Sequence, residues 1–165
     1  DAPAGDPGLA YMKKHEGTGR GTFGRFEGEG QLLESFPSEI SIRLVQDGDA
    51  HRFVQTNVYA KPDGTEERIE SSGEIREGRA WFSSPRMDGW TMQVAADPTG
   101  RMGVLWMASK DGALQMHEVI SLSEDGSRRY RVAQYLRDGR LWRRTLIEEA
   151  LAAPGRAPAE PTAAP

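Results

Sequence analysis

The sequence has no cysteine, which excludes disulfides, thiolate catalysis and cysteine-ligated metals. Histidine is scarce: His15, His51 and His117 stand far apart, with neither an HxH nor an HExxH pattern, so no metal site is expected. A haem needs one well-placed axial histidine, and only His117 falls within a strand pattern. No apolar run approaches the roughly 20 residues of a transmembrane helix. Acids and bases are interspersed around a formal net charge of −4, without a basic stripe, which argues against a nucleic-acid partner. Gly-x-Ser-x-Gly is missing, and "GTGRGTFG" (17–24) lacks the GK[ST] ending of a phosphate loop. Neither serine hydrolysis nor nucleotide chemistry has support, and no cofactor is expected.

What the sequence does contain is turns. They fall at "QDGD" (46–49), "KPDG" (61–64), "REGR" (76–79), "RMDG" (86–89), "DPTG" (97–100), "KDG" (110–112), "SEDG" (123–126) and "RDGR" (137–140). Glycine supplies the positive φ of tight hairpins, and a preceding Asp tolerates the same region. Between the turns run segments rich in Val, Ile, Phe, Tyr, Trp and Thr. These predict strands near 38–46, 51–60, 66–76, 79–85, 89–97, 101–109, 113–123, 127–137 and 140–149, with "TGRGTFGRF" (18–26) as one more. "EGEGQLLESFPSE" (27–39) reads as the one long connection.

Short connections join antiparallel neighbours, and a long meander has two bare edges unless it closes. The expected fold is therefore all-β: an up-and-down antiparallel β-barrel of about ten strands, wide enough to enclose a ligand. A two-sheet sandwich is the alternative, but it needs more long crossovers than this chain offers. The barrel should span 18–149. Residues 1–17 form an N-terminal segment in which "LAYMKKHEG" (9–17) has helical spacing. Residues 150–165, ending in "AAPGRAPAEPTAAP", are Ala/Pro-rich and expected to be disordered. The chain starts at Asp1, in "DAPAGDPG", without Met; this predicts removal of a signal peptide and a periplasmic or secreted location.

Three features make the chain resemble the calycins, the group of the lipocalins and of lipocalin-like bacterial families that include the S-type phycobiliprotein chromophore lyases. They are the Gly-rich opening "GTGRGTFGRF", the regular meander, and the closing "DGRLWRRTLIEE" (138–149) with its arginines. The resemblance implies a small hydrophobic or amphipathic ligand inside the barrel. Lipocalins usually stack an opening-strand Trp on a late Arg; here no Trp precedes Trp81, and Phe23 is the nearest stand-in.

One residue interrupts the pattern. In "KDGALQMHEVISLSEDG" (110–126), Leu114, Met116, Ile120 and Leu122 share a strand face, and Glu118 falls among them. Turn arithmetic places Glu118 opposite Ala133 and Gln134 opposite Arg143. The reading that follows puts Glu118, Gln134 and Arg143 on one inward face, Arg143 closing one end of the barrel, and Arg129, Arg131 and Arg137 in solvent. The cluster could be a self-satisfying polar network or could orient a ligand. It could also be an enzyme site, an isomerase, cyclase or lyase with Glu118 as acid or base. A filled barrel acting in an envelope assembly is a further alternative. In "FVQTNVY" (53–59), one face carries Phe53, Gln55, Asn57 and Tyr59 and would suit a ligand-binding wall; the other carries Val54, Thr56 and Val58 and would suit a plain core. Trp81, Phe82, Trp90, Trp106 and Trp142 are expected in the core and on the barrel exterior, stacking on a flat ligand being the alternative reading.

Overall fold

The computed structural model describes residues 5–152. One helix, α1 (Pro7–His15), precedes ten strands: β1 (Gly17–Glu27), β2 (Leu32–Asp47), β3 (Ala50–Ala60), β4 (Glu66–Arg76), β5 (Arg79–Ser83), β6 (Met87–Gln93), β7 (Met102–Ser109), β8 (Leu114–Leu122), β9 (Arg128–Arg137) and β10 (Arg140–Ala152). Each strand pairs antiparallel with its chain neighbour, and β1 pairs with β10, closing the barrel. Closure removes both free edges. The hairpins of β8, β9 and β10 turn where expected, with positive φ at Gly112, Gly126 and Gly139. Among the described residues no helix is long and apolar enough to cross a membrane. Of the segment expected as a tail, 150–152 belong to β10, and 153–165 lie outside the described residues.

The long connection expected over 27–39 is a tight turn instead. Glu27 donates its N–H to the carbonyl of Gln31, and β2 begins at Leu32. Pro37 obscured this strand, because proline cannot donate to a ladder. Pro37 lies opposite Thr22 of β1 and one residue before the β2–β3 pairing starts at Ser38 and Tyr59, so only one edge of β2 is paired there.

The interior is packed in two apolar clusters. The first lies where α1 plugs one end: Leu9, Tyr11 and Met12 pack against Ile40, Ile42, Phe53, Ile75 and Ala80. Asp6 caps the helix, accepting from the N–H of Gly8 at 2.7 Å and of Gly78 at 3.1 Å, which also ties α1 to the β4–β5 turn. The Tyr11 hydroxyl meets that of Thr91 on β6, 3.0 Å away. Gly103 makes room for it: a Cβ there would stand 2.2 Å from the Tyr11 hydroxyl. The second cluster lies towards the other end, where Phe23 stacks on Phe36 at 5.0 Å with Ile147 beside them and Tyr59 edge-on. The cation over Phe23 is Arg25 of the same strand, at 5.6 Å, and not a late arginine.

Candidate functional site

Side chains directly opposite in an antiparallel pair share a face, and the next residue along points the other way. This rule builds the site. Glu118 lies opposite Ala133, as the turn arithmetic requires, and is buried with 4% of its surface exposed. The inward face of β9 is therefore Arg129, Arg131, Ala133 and Tyr135. Gln134 points outward and is exposed, so it leaves the site. Tyr130 and Val132, on the same face as Gln134, are exposed with it; Arg129 and Arg131, expected in solvent, are inside. Arg137 is exposed, as expected, and lies over the ring of Trp142.

The interior charges form one chain. Arg131 donates through Nη1 to Glu118 Oε1 at 3.3 Å and through Nη2 to Glu149 Oε1 at 2.9 Å. Arg129 donates through Nε to Glu149 Oε2 at 2.5 Å and through Nη1 to His15 Nδ1 at 3.4 Å. With Nδ1 accepting, the proton of a neutral His15 sits on Nε2. Two carboxylates balance two guanidiniums, which is how a barrel can hold buried charge.

The surroundings act on these groups in definite directions. Burial alone would raise Glu149, but Arg131 and Arg129 outweigh it and hold the carboxyl down at about 2. Burial alone would lower Arg131; Glu149 and Glu118 overcome that and fix it as a cation. Burial, and then Arg129, push His15 down to about 3, so it is neutral. Burial raises Tyr11 to about 12, and raises Tyr59 and Tyr135 as well. All three phenols stay protonated and can donate.

Gln55, Asn57 and Tyr59 face inward with buried Phe53. Gln55 Nε2 donates to Asn57 Oδ1 at 2.9 Å, and Asn57 Nδ2 donates to the Tyr59 hydroxyl at 2.9 Å. Arg143 is half-buried at the far rim, away from Glu118. A bulge between Leu141 and Arg143 shifts the register by one, setting Arg143 opposite Tyr135 rather than Gln134. Its charge partner is Glu27, and it lies over the ring of Trp142. Two further cations sit at this rim. Lys61 lies 4.5 Å from the Phe36 ring centroid, and Arg25 is bonded to Glu34.

Four inward atoms able to donate are buried without a hydrogen bond among the described residues: Arg131 Nε, Ser38 Oγ, Thr145 Oγ1 and His15 Nε2. Arg129, Arg131, Glu149 and His15 are the members that sequence reasoning missed. The β8–β9 register already placed Arg131 and Arg129 on the face of Glu118; the apolar look of Tyr130, Val132 and Leu136 argued for the opposite face.

The family described as "Domain of unknown function (DUF3598), N-terminal" matches residues 9–153. No curated protein matches the sequence. A DUF3598 protein of unknown function from Nostoc punctiforme PCC 73102 superposes with a TM-score of 0.66 at 16% identity, over 86% of this chain and 49% of that one. The chain thus spans about half of that protein's length. The S-type phycobiliprotein lyase CPES from Guillardia theta superposes with a TM-score of 0.64 at 14% identity, over 87% of this chain and 92% of the lyase. At these identities the likeness is one of fold, a lipocalin-like barrel.

Proposed function

We propose, for a chain that belongs to the DUF3598 family through its N-terminal domain, that the barrel binds a small amphipathic molecule bearing a hydrogen-bond acceptor or an anionic group. The observation that carries this reading is the set of inward donors without partners, with Arg131 Nε, Ser38 Oγ and Thr145 Oγ1 on the barrel wall and His15 Nε2 on the helix. A buried polar group without a partner costs about 1–3 kcal/mol, which a ligand acceptor would relieve. The far rim suits the same ligand: Arg25, Lys61 and Arg143 each lie over an aromatic ring, offering cations beside apolar surface. A similarly folded neighbour named as a phycobiliprotein lyase is consistent with chemistry centred on a small organic group.

Binding is favoured over catalysis because the Glu118 carboxylate is already engaged by Arg131, at 3.3 Å. Ligand contacts are assigned to Arg131, Ser38, Tyr59, Tyr135 and, at the rim, Arg143. Native mass spectrometry of the purified chain should show a co-purified small molecule or saturable uptake of a fatty acid or linear tetrapyrrole. Arg143→Met should weaken that uptake about tenfold with little loss of stability. Failure of every amphipathic anion to bind at ~1 mM would reject the reading.

A further inference from the structure

The outer wall of the barrel carries a second candidate site. Trp81, Trp90 and Trp106 are cross-strand partners on three consecutive strands, β5, β6 and β7, all on the outward face. Large apolar side chains on a solvent-facing sheet surface mark contact sites when they are contiguous. The next outward row is small and polar, with Ser72, Ser83, Asp88 and Ala108 in register. A tall indole row beside a low polar row makes a trough across β4–β7, part of an open groove of about 700 Å³. Gly73 and Gly89, each opposite the inward-facing Phe82, also line it through their backbone.

The indoles are braced. The Arg79 guanidinium lies 4.4 Å from the Trp90 ring and 5.4 Å from that of Trp81, and Arg76 lies 4.8 Å from Trp81. Trp81 Nε1 donates to the Arg76 carbonyl at 3.3 Å. Most charges around the trough are paired, Arg52 and Arg76 with Glu74 at 3.1 and 3.6 Å and Lys110 with Asp88 at 4.0 Å, while Arg79 is held by the indole faces. Ser83 donates to Asp88 at 2.5 Å.

We infer that this trough is a binding site for a neutral oligosaccharide. A pyranose ring has an apolar C–H face that fits an indole, and a hydroxyl edge that both donates and accepts. Paired acids and bases can add such bonds without being left uncompensated, whereas an ionic ligand would have to break the pairs. Strands lie about 4.8 Å apart, close to the length of one sugar unit, so the trough offers roughly 14 Å, or about three units. A proline-rich peptide fits less well. It wants apolar slots between ridges and ring N–H donors for its carbonyls, whereas the floor is polar and the Trp81 N–H is taken.

The experiment titrates the full chain with cello-, malto- and chito-oligosaccharides of three to six units, following tryptophan fluorescence and calorimetric heat. At least one series should saturate with a Kd between ~10 μM and ~1 mM. Trp90→Ala should weaken binding at least tenfold. Ser83→Leu, which fills the trough and keeps every indole, should do the same and guards against misfolding of the first variant. Trp142→Phe, on β10, should leave binding unchanged. Three results would each overturn the proposal: no saturable signal from any series up to ~10 mM sugar, binding unaffected by both groove variants, or uptake of a proline-rich peptide in place of sugars.

Discussion

Two halves of the barrel interior are filled by opposite means. Against α1, the β2–β5 side is apolar: Ile40, Ile42, Phe53, Ile75 and Ala80 pack on Leu9, Tyr11 and Met12. Across the lumen, the β8–β10 side is ionic, with Glu118, Arg131, Glu149 and Arg129 running to His15. The apolar side depends on volume, so it should tolerate changes that keep size and greasiness. The ionic side depends on charge balance, so a change that keeps size but removes one charge should be severe. Helix α1 joins the halves, since Tyr11 and His15 meet edge-on at 4.7 Å.

The largest effect should come from Glu149→Gln, an isosteric change that leaves Arg129 and Arg131 buried with too few carboxylates. Denaturant unfolding should show a loss of about 3–5 kcal/mol. A smaller effect should appear as coupling: in a double-mutant cycle, Glu118→Gln with Arg131→Met should cost about 1–3 kcal/mol less than the sum of the single changes. Simple additivity there would mean that the two residues do not act as a pair.

Acid should attack the ionic half first. His15 falls from an ordinary 6.5 to about 3 in the folded chain, chiefly through burial. Below pH 6.5 the unfolded chain therefore takes up a proton that the native chain refuses, and stability declines as pH drops. The slope is at most about 1.4 kcal/mol per pH unit for one group. Glu149, held at about 2 against an ordinary 4.5, adds its own loss as pH falls from 4.5 through 2. Stability measured against pH should thus fall in two overlapping stages, and His15→Gln should flatten the fall between pH 6.5 and 4.5 and make it shallower from 4.5 to 3, leaving the Glu149 loss in place.

On the apolar side, Phe53→Leu should cost no more than about 1.5 kcal/mol, because it nearly conserves volume. If it cost more than Glu149→Gln, the contrast between the halves would be wrong. The smallest effect is expected at Gln134, which is exposed on the outer wall: Gln134→Ala should stay within about 0.5 kcal/mol and leave ligand uptake untouched.

Most of the architecture is legible in the sequence. Gly112, Gly126 and Gly139 mark turns by a local steric requirement, so strand order and antiparallel pairing can be read residue by residue. Glu118 is legible too, as a carboxylate in an apolar row whose register agrees with its hairpin. Its partner is not. "RRYRVAQYLR" contains two interleaved rows, and the row with Tyr130, Val132 and Leu136 has the stronger apolar look. The half-buried position of Arg143 has a cause the sequence does not display, since the bulge beside Trp142 is what turns it.

By itself, then, the sequence determined where the chain turns and that the strands run antiparallel, because those are decided within a few residues by backbone sterics. Only the tertiary structure decided which row of β9 faces the lumen. That choice rests on pairing Arg131 with Glu118 and Glu149 on strands at either side, and Arg129 with Glu149 and with His15 of the helix, far away in the chain. An arginine row can be buried only where two carboxylates meet it, and no short stretch of sequence contains that meeting.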